Sequence, residues 1–289
     1  LDRVVAPGLD IALATGQHMH TPDPESHLLV EALNRRGVAA ALVAWGDGTD
    51  WGAARLVVIR STWDYTSRSA EFLAWAAAVD SLTRLVNPLE VLVRNAHKRY
   101  LLDLERAGVP IVPTTLLRPG ASTAEQRAAF AAHGGEVVIK PAVSAGARGT
   151  VRARSGSSEA AEALAVALDL GDVLVQPFLP AVTDGEVSLL YIGGRFTHAV
   201  RKIPAAGDFR VQEHIGGVVQ RHQPDAEEMA VADRALVTID STLSYARVDL
   251  VRRNGRPVVM EVELVEPELF LGMADGVADA LADHLVSLI

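Results

Sequence analysis

Short apolar runs recur through the first ninety residues, separated by polar stretches with helical spacing. "DIALAT" (10–15), "AAALVAW" (39–45) and "RLVVIRS" (55–61) are too short for helices and predict buried parallel strands. Between the first two, "PDPESHLLVEALNRRG" opens on prolines, places Leu28, Leu29, Ala32 and Leu33 along one helical face, and stops at Gly37. The result is a βαβ pattern, whose loops at the carboxyl ends of the strands are ligand positions. "STWDY" (61–65) sits at such an end. There Ser61, Thr62 and Asp64 either bond a turn and helix start while Trp63 and Tyr65 pack, or they meet a substrate.

Further along, "NPLEVLVRNAHKRYLLDLERAGVPIVPTTLL" (87–117) predicts a short helix, a longer one through "KRYLLDLERAG", and a strand. "EVVIKPAVSAGARGTVRAR" (136–154) predicts strand, glycine loop, strand, followed by an alanine-rich helix (158–169) and the strand "DVLVQPFL". From 185 the pattern is mostly β. "GEVSLLYIGGRFTHAVRKI" is a hairpin on a Gly-Gly turn, and "ARVDLVRR" and "PVVMEVEL" are strands joined at Asn254-Gly255. Helices are expected at 224–240 and 275–288. No internal repeat or low-complexity segment interrupts this order.

Charge and composition narrow the class. A formal net charge of −9 argues against general binding to nucleic acid or an anionic membrane, though not against a local basic pocket. The absence of cysteine rules out disulfides and thiolate metal sites and fits a reducing cytoplasm. Apolar runs break well short of the roughly 20 residues of a spanning helix, and no signal peptide is expected at the start.

The candidate chemistry is spread over several segments. Lys140 ends an apolar strand and leads into "PAVSAGARGT", where Gly146 and Gly149 let backbone N–H groups approach a phosphate; the alternative is a flexible hairpin with a surface lysine. The loop is not a Walker A sequence. Lys98, taken alone, reads as a solvated lysine. Around "VLVQPFLPAVTDGEVS", extended backbone can serve an adenine, and Glu186 can bond ribose hydroxyls. Arg201, Lys202 and Arg210 form either a cationic wall or an exposed sheet face. If the last two strands pair antiparallel, Asp249 lies near Glu261 or Glu263. Such a carboxylate set suits Mg²⁺ or Mn²⁺, against the plainer reading of a solvated strand face.

The order of these pieces resembles the ATP-grasp ligases over roughly residues 90–289. That order is lysine at a helix start, lysine before a glycine loop, "QPFLP", "GEVS", an Arg/Lys strand, "RVD" and "MEVE". The resemblance implies an α/β (α+β) chain. A Rossmann-like parallel-sheet domain (1–94) would precede a central ATP-grasp subdomain with the glycine-loop lid (95–175) and a C-terminal subdomain with the metal and catalytic site (176–289). It further implies that Lys98 and Lys140 contact ATP phosphates, with Ser144, Gly146 and Gly149 in the closing loop. Gln176, Pro177, Phe178 and Leu179 would hold adenine, and Glu186 ribose. Lys202 and Arg210 would face the γ-phosphate or substrate, Arg247 the developing oxyanion, and Asp249 and Glu261 two Mg²⁺ (or Mn²⁺) ions. Glu263 stands where most members have Asn. "RSTWDY", "GGRFTHAVRKIPAAGDFRVQEHIGG" and "MEVELVEPELFL" resemble the cyclo-ligases of D-cycloserine biosynthesis, which close O-ureido-D-serine. A small amino acid-like substrate would meet Thr62, Asp64, Arg210 or Glu268. Intermolecular ligation of amino acids or peptides, and a silent nucleotide-binding regulator, are the alternatives. A homodimer is the assembly expected from many relatives.

Overall fold

A computed structural model describes residues 8–17, 23, 25–46, 48–212 and 215–289. Three expectations fall partly outside these residues: the start of the chain, the prolines Pro22 and Pro24, and Glu213-His214 of "DFRVQEHIGG". The first element group is β1 (Ile11–Thr15), α1 (Ser26–Arg35), β2 (Ala40–Ala44), β3 (Leu56–Ser61), α2 (Ser69–Leu82) and β4 (Arg84–Val86). Its strands form a parallel sheet in the order β2-β1-β3-β4. Only β1 and β3 are buried along their length; β2 alternates, with Leu42 41% exposed, because it is an edge strand. Trp45, Trp51, Phe72 and Trp75 pack edge-on and tilted against one face of this sheet.

Two helices of seven residues each follow, α3 (Leu89–Asn95) and α4 (Tyr100–Arg106). The second is shorter than its sequence suggests, and Lys98 lies in the turn before it. Next come β5 (Thr115–Leu117), α5 (Thr123–His133), β6 (Glu136–Pro141), β7 (Val151–Arg154), α6 (Ser158–Leu170) and β8 (Val173–Pro177). These strands make an antiparallel sheet ordered β5-β8-β6-β7. Helix α5 carries a reciprocal capping box between Ser122 and Glu125.

The last group is β9 (Glu186–Ile192), β10 (Arg195–Ile203), β11 (Val218–His222), α7 (Ala226–Val237), β12 (Tyr245–Arg253), β13 (Arg256–Glu263) and α8 (Val277–Val286). Its antiparallel sheet runs β11-β10-β9-β12-β13. Both expected turns appear: Gly193 and Gly194 take positive φ, as do Asn254 and Gly255. The outer edge of β13 is covered, since Val259 exchanges backbone bonds with Pro110 and Val112.

The parallel sheet and the C-terminal sheet share one core. Leu29, Leu33, Leu56 and Val58 pack in the same cluster as Leu190, Tyr245, Leu281 and Leu285. The Tyr245 hydroxyl sits 2.9, 3.1 and 3.0 Å from the carbonyls of Ile59, Val86 and Val265. Asn87 bonds the backbone of Ser244, Tyr245 and Leu264. Among the described residues, no helix is long and apolar enough to cross a membrane.

Candidate active site

The polar face of the C-terminal sheet is built by register. On β9 and β10, Glu186 lies opposite Lys202; on β9 and β12, Ser188 lies opposite Asp249. Between β12 and β13 the register shifts by one residue, so that Leu250 faces Val259 while Asp249 faces Glu261 and Arg247 faces Glu263. Met260 is the extra residue of this β-bulge. In a regular ladder that kept Met260, Met260 would pair with Asp249 and Glu261 would project from the opposite face, since strand side chains alternate. The bulge therefore turns an apolar strand into one that adds two carboxylates to the face holding Asp249.

Around this face the charges interlock. Arg247 donates from Nε and Nη2 to Asp249 at 3.0 Å and from Nη2 to Glu263; its Nη1 donates to the Glu268 carbonyl at 3.1 Å. Lys202 Nζ lies 2.5 Å from Glu186 and 3.2 Å from Asp249. Ser188 donates to Asp249 at 2.6 Å. Lys98 Nζ reaches Glu261 at 2.8 Å and donates to the Ser144 carbonyl at 2.6 Å. Lys140, buried at the end of β6, completes the group.

These neighbours set the protonation states. Burial favours the neutral form of Asp249, but Arg247 and Lys202 outweigh it and hold the carboxyl well below its usual range. Burial also opposes charge on Glu261, and Lys98 and Lys140 overcome it. Glu263 goes the other way: burial, with Glu261 and Asp249 nearby, lifts it to about 7 against the pull of Arg247. Glu266 is lifted to about 8 by burial and by Glu263. Burial lowers Lys140, partly offset by Glu261. One carboxylate oxygen each from Asp249, Glu261 and Glu263 lies within 4.8 Å of the others. A tight, partly buried, all-oxygen donor set of this kind fits Mg²⁺ or Mn²⁺.

The other expected residues arrange themselves around this centre. Gly149 has φ 72°, and a Cβ there would come within 3.0 Å of Pro141, so the loop can fold back on the end of β6 only with glycine. Gly146 also lies in the left-handed region, and Ser144 donates to the Pro141 carbonyl. Gln176 is buried and donates to Thr114, and Pro177 ends β8. Phe178 N–H donates to Glu136, and the Arg152 guanidinium lies 3.6 Å from the centre of its ring. Phe178 and Leu179 join Phe209 and Met260 on an apolar cluster with Val112, Val182, Val211, Val251 and Val258.

Several residues take other partners. Arg201 neighbours Lys202 on one strand, so it points to the opposite face, where it donates to the Asp184 carbonyl. Arg210 lies in an irregular segment, not on a strand, and its guanidinium forks onto Asp208. Asp64 accepts from the Trp45 indole at 2.8 Å and the Gln17 N–H at 3.1 Å. Thr62 is fully buried, and its hydroxyl has no hydrogen-bond partner among the described residues. Glu268 is half-buried and contributes its carbonyl to Arg247. Sequence reasoning missed Ser188, although "GEVS" places it two residues from Glu186 and therefore on the same strand face. It also missed the buried Glu25–Arg60 pair, which nothing in the local pattern marks.

Comparison with known proteins follows the same lines. The profile of the prokaryotic glutathione synthetase ATP-grasp domain matches residues 108–264, and that of the D-cycloserine synthetase DcsG N-terminal domain matches residues 11–87. The chain is 35% identical to the cycloserine biosynthesis protein DcsG of Streptomyces lavendulae over 95% of its own length and 98% of that protein. A probable alpha-L-glutamate ligase of Pectobacterium carotovorum is 36% identical, over 27% of this chain and 25% of its own. The crystal structure of D-cycloserine synthetase DcsG superposes with a TM-score of 0.88 at 33% identity, covering 96% of this chain and 99% of the other. D-alanine–D-alanine ligase from Bacillus anthracis, complexed with ATP, gives 0.69 at 15% identity over 96% of each chain, a likeness of fold.

Proposed function

Because the chain belongs to the ATP-grasp ligases, and within them to the family of the cycloserine biosynthesis protein DcsG, it is an ATP-dependent ligase, and we propose that it closes a ring within a single substrate. The substrate is O-ureido-D-serine. Its carboxylate oxygen takes the γ-phosphoryl group of ATP, releasing ADP. The ureido nitrogen bonded to oxygen then attacks the carbonyl carbon, phosphate leaves, and the isoxazolidinone ring forms as that nitrogen gives up its proton. Hydrolytic loss of the carbamoyl group yields carbon dioxide and ammonia.

The observation that carries this reading is the interlocked face of Arg247, Asp249, Glu261, Glu263, Lys98 and Lys202, in a chain alike over 95% of its length to DcsG. A carboxylate is a poor electrophile until phosphorylated, and after that the protein has to position reactants and compensate charge. Lys98 and Lys140 hold ATP phosphates, with the 144–150 loop closing above them. Gln176 to Leu179 bind adenine beside the apolar cluster, and Glu186 exchanges Lys202 for ribose. Lys202 then faces the γ-phosphate, and Arg247 steadies the oxyanion. Asp249, Glu261 and Glu263 would hold one or two Mg²⁺ ions, which would supply charge neutralisation at the phosphates. Thr62, with its unpartnered hydroxyl, and Glu268 meet the substrate. Asp64 and Arg210 would have to exchange their present partners, Trp45 and Gln17 for the one and Asp208 for the other, to meet the substrate.

Phosphate release in the presence of ATP and Mg²⁺ tests the reading. Release with O-ureido-D-serine alone, and a cyclic product, is expected. A requirement for two amino acids would show intermolecular ligation instead, and no release with either would leave a nucleotide-binding regulator.

A further inference from the structure

The segment after β13 is held by a carboxylate from the other end of the chain. Glu25, at the start of α1 and 4% exposed, accepts from Leu269 N–H on one oxygen at 2.6 Å and from Leu271 N–H on the other at 2.8 Å. Between them Phe270 has φ 52°, a left-handed conformation that a bulky residue keeps only where surrounding contacts fix it. Two N–H groups converging on an anion across such a residue form a backbone nest. Here the protein fills the nest itself. Arg60, 2% exposed on β3, donates to the same Glu25 oxygen at 2.6 Å, and Asp23 accepts from the N–H groups of Glu25 and Ser26, fixing the helix start.

The turn so held touches Arg247 twice. The Glu268 carbonyl accepts from its Nη1, and the Phe270 ring lies 6.0 Å from the guanidinium carbon. The other Arg247 partners are Asp249 and Glu263, carboxylates assigned to metal binding. The turn is thus the anchor for Arg247 that does not depend on those ligands.

We propose that Glu25 is a positioning residue: its carboxylate in the 269–271 nest holds the Glu268 carbonyl and the Phe270 ring where they orient the Arg247 guanidinium for the reaction. This rests on the reading of Arg247 as the group that steadies the oxyanion.

The test is Glu25→Gln, whose amide must turn an NH₂ toward one of the two N–H donors. Expected is a fall in kcat of roughly tenfold to a hundredfold, the range for misplacing a reacting geometry by about 1 Å, with KM for ATP unchanged. Combined with Arg247→Lys the losses should not multiply, because both act through one group. Arg36→Ala, which loosens the outer side of α1, should keep wild-type kcat. Wild-type kcat in Glu25→Gln, or losses that multiply, would overturn the proposal. If Glu25→Gln does not fold, the double variant E25Q/R60Q, which removes the buried charge with its partner, carries the same expectations. A wild-type protein that releases no phosphate with O-ureido-D-serine, or an Arg247→Lys variant with normal turnover, would count against the function reading instead. Amide exchange then decides the nest: faster exchange at Leu269 and Leu271 in Glu25→Gln supports it, and unchanged exchange sinks it.

Discussion

A carboxylate taken out of water needs a partner, and Glu261 and Glu263 stand side by side on a strand whose other face is core. Their partners differ. Glu261 has Lys98 and, more distantly, Lys140; Glu263 shares Arg247 with Asp249 and is left short of positive charge. Replacing Glu261 with Gln should therefore raise the Mg²⁺ requirement and lower turnover by about 100-fold or more, since even residues behind a metal ligand cost 10- to 100-fold. Steady-state rates across an Mg²⁺ titration check this. For Glu263 and Glu266 the folded carboxyls bind protons more tightly than unfolded ones, so the folded state loses stability as pH rises from about 4.5 through about 7 and about 8. Thermal unfolding without metal should fall over that window, and Mg²⁺ should raise Tm more at pH 8 than at pH 6. A flat profile with equal Mg²⁺ effects would contradict it. The residue types were readable in the sequence because lysine and glutamate on apolar strands are conspicuous. Asp208 engages Arg210, and a charge pair two residues apart in an irregular segment leaves no periodic trace.

At the scale of the element, the decisive feature is the bulge at Met260. Deleting Met260 should restore a straight ladder in which Glu261 still pairs with Asp249 and Glu263 with Arg247, because Val259 and Glu261 would then alternate in step with Leu250 and Asp249. The deletion variant is expected to keep the stabilisation by Mg²⁺; its loss would mean that the local bend at the bulge, and not the pairing with Asp249, places the carboxylates. The "MEVE" alternation announced a strand with paired glutamates, and the Asn254-Gly255 turn announced the hairpin. The bulge was silent, because a register shift depends on how two strands meet. The same limit applies to β4 and β11, which are short or exposed and acquire strand character from their neighbours. Helix α5 was different: its Ser122-Glu125 capping box was legible in "STAEQ" and only its weak apolar face hid it.

Over the whole molecule, the N-terminal and C-terminal sheets behave as one packed body joined at Tyr245. Tyr245→Phe removes the single O–H that serves carbonyls of β3, β4 and the segment after β13. It should cost about 1–3 kcal/mol, the penalty for leaving buried polar groups without a donor. Denaturant unfolding measures that loss. ATP with Mg²⁺ at a hundredfold excess over its Kd should add about 2.7 kcal/mol to stability, and a protein unmoved by ATP would not fit a nucleotide site. The βαβ front and the β-rich back were both plain from periodicity, whereas their shared core was not, because it joins residues far apart in sequence. Helix α1 shows the consequence. Its apolar face packs with α8, and its Arg35 and Arg36 pair with Asp279 and Asp283. During synthesis, therefore, α1 must wait, partly uncovered, until residues 36–276 and α8 itself have been translated. That interval of waiting is when the nascent protein most needs a chaperone.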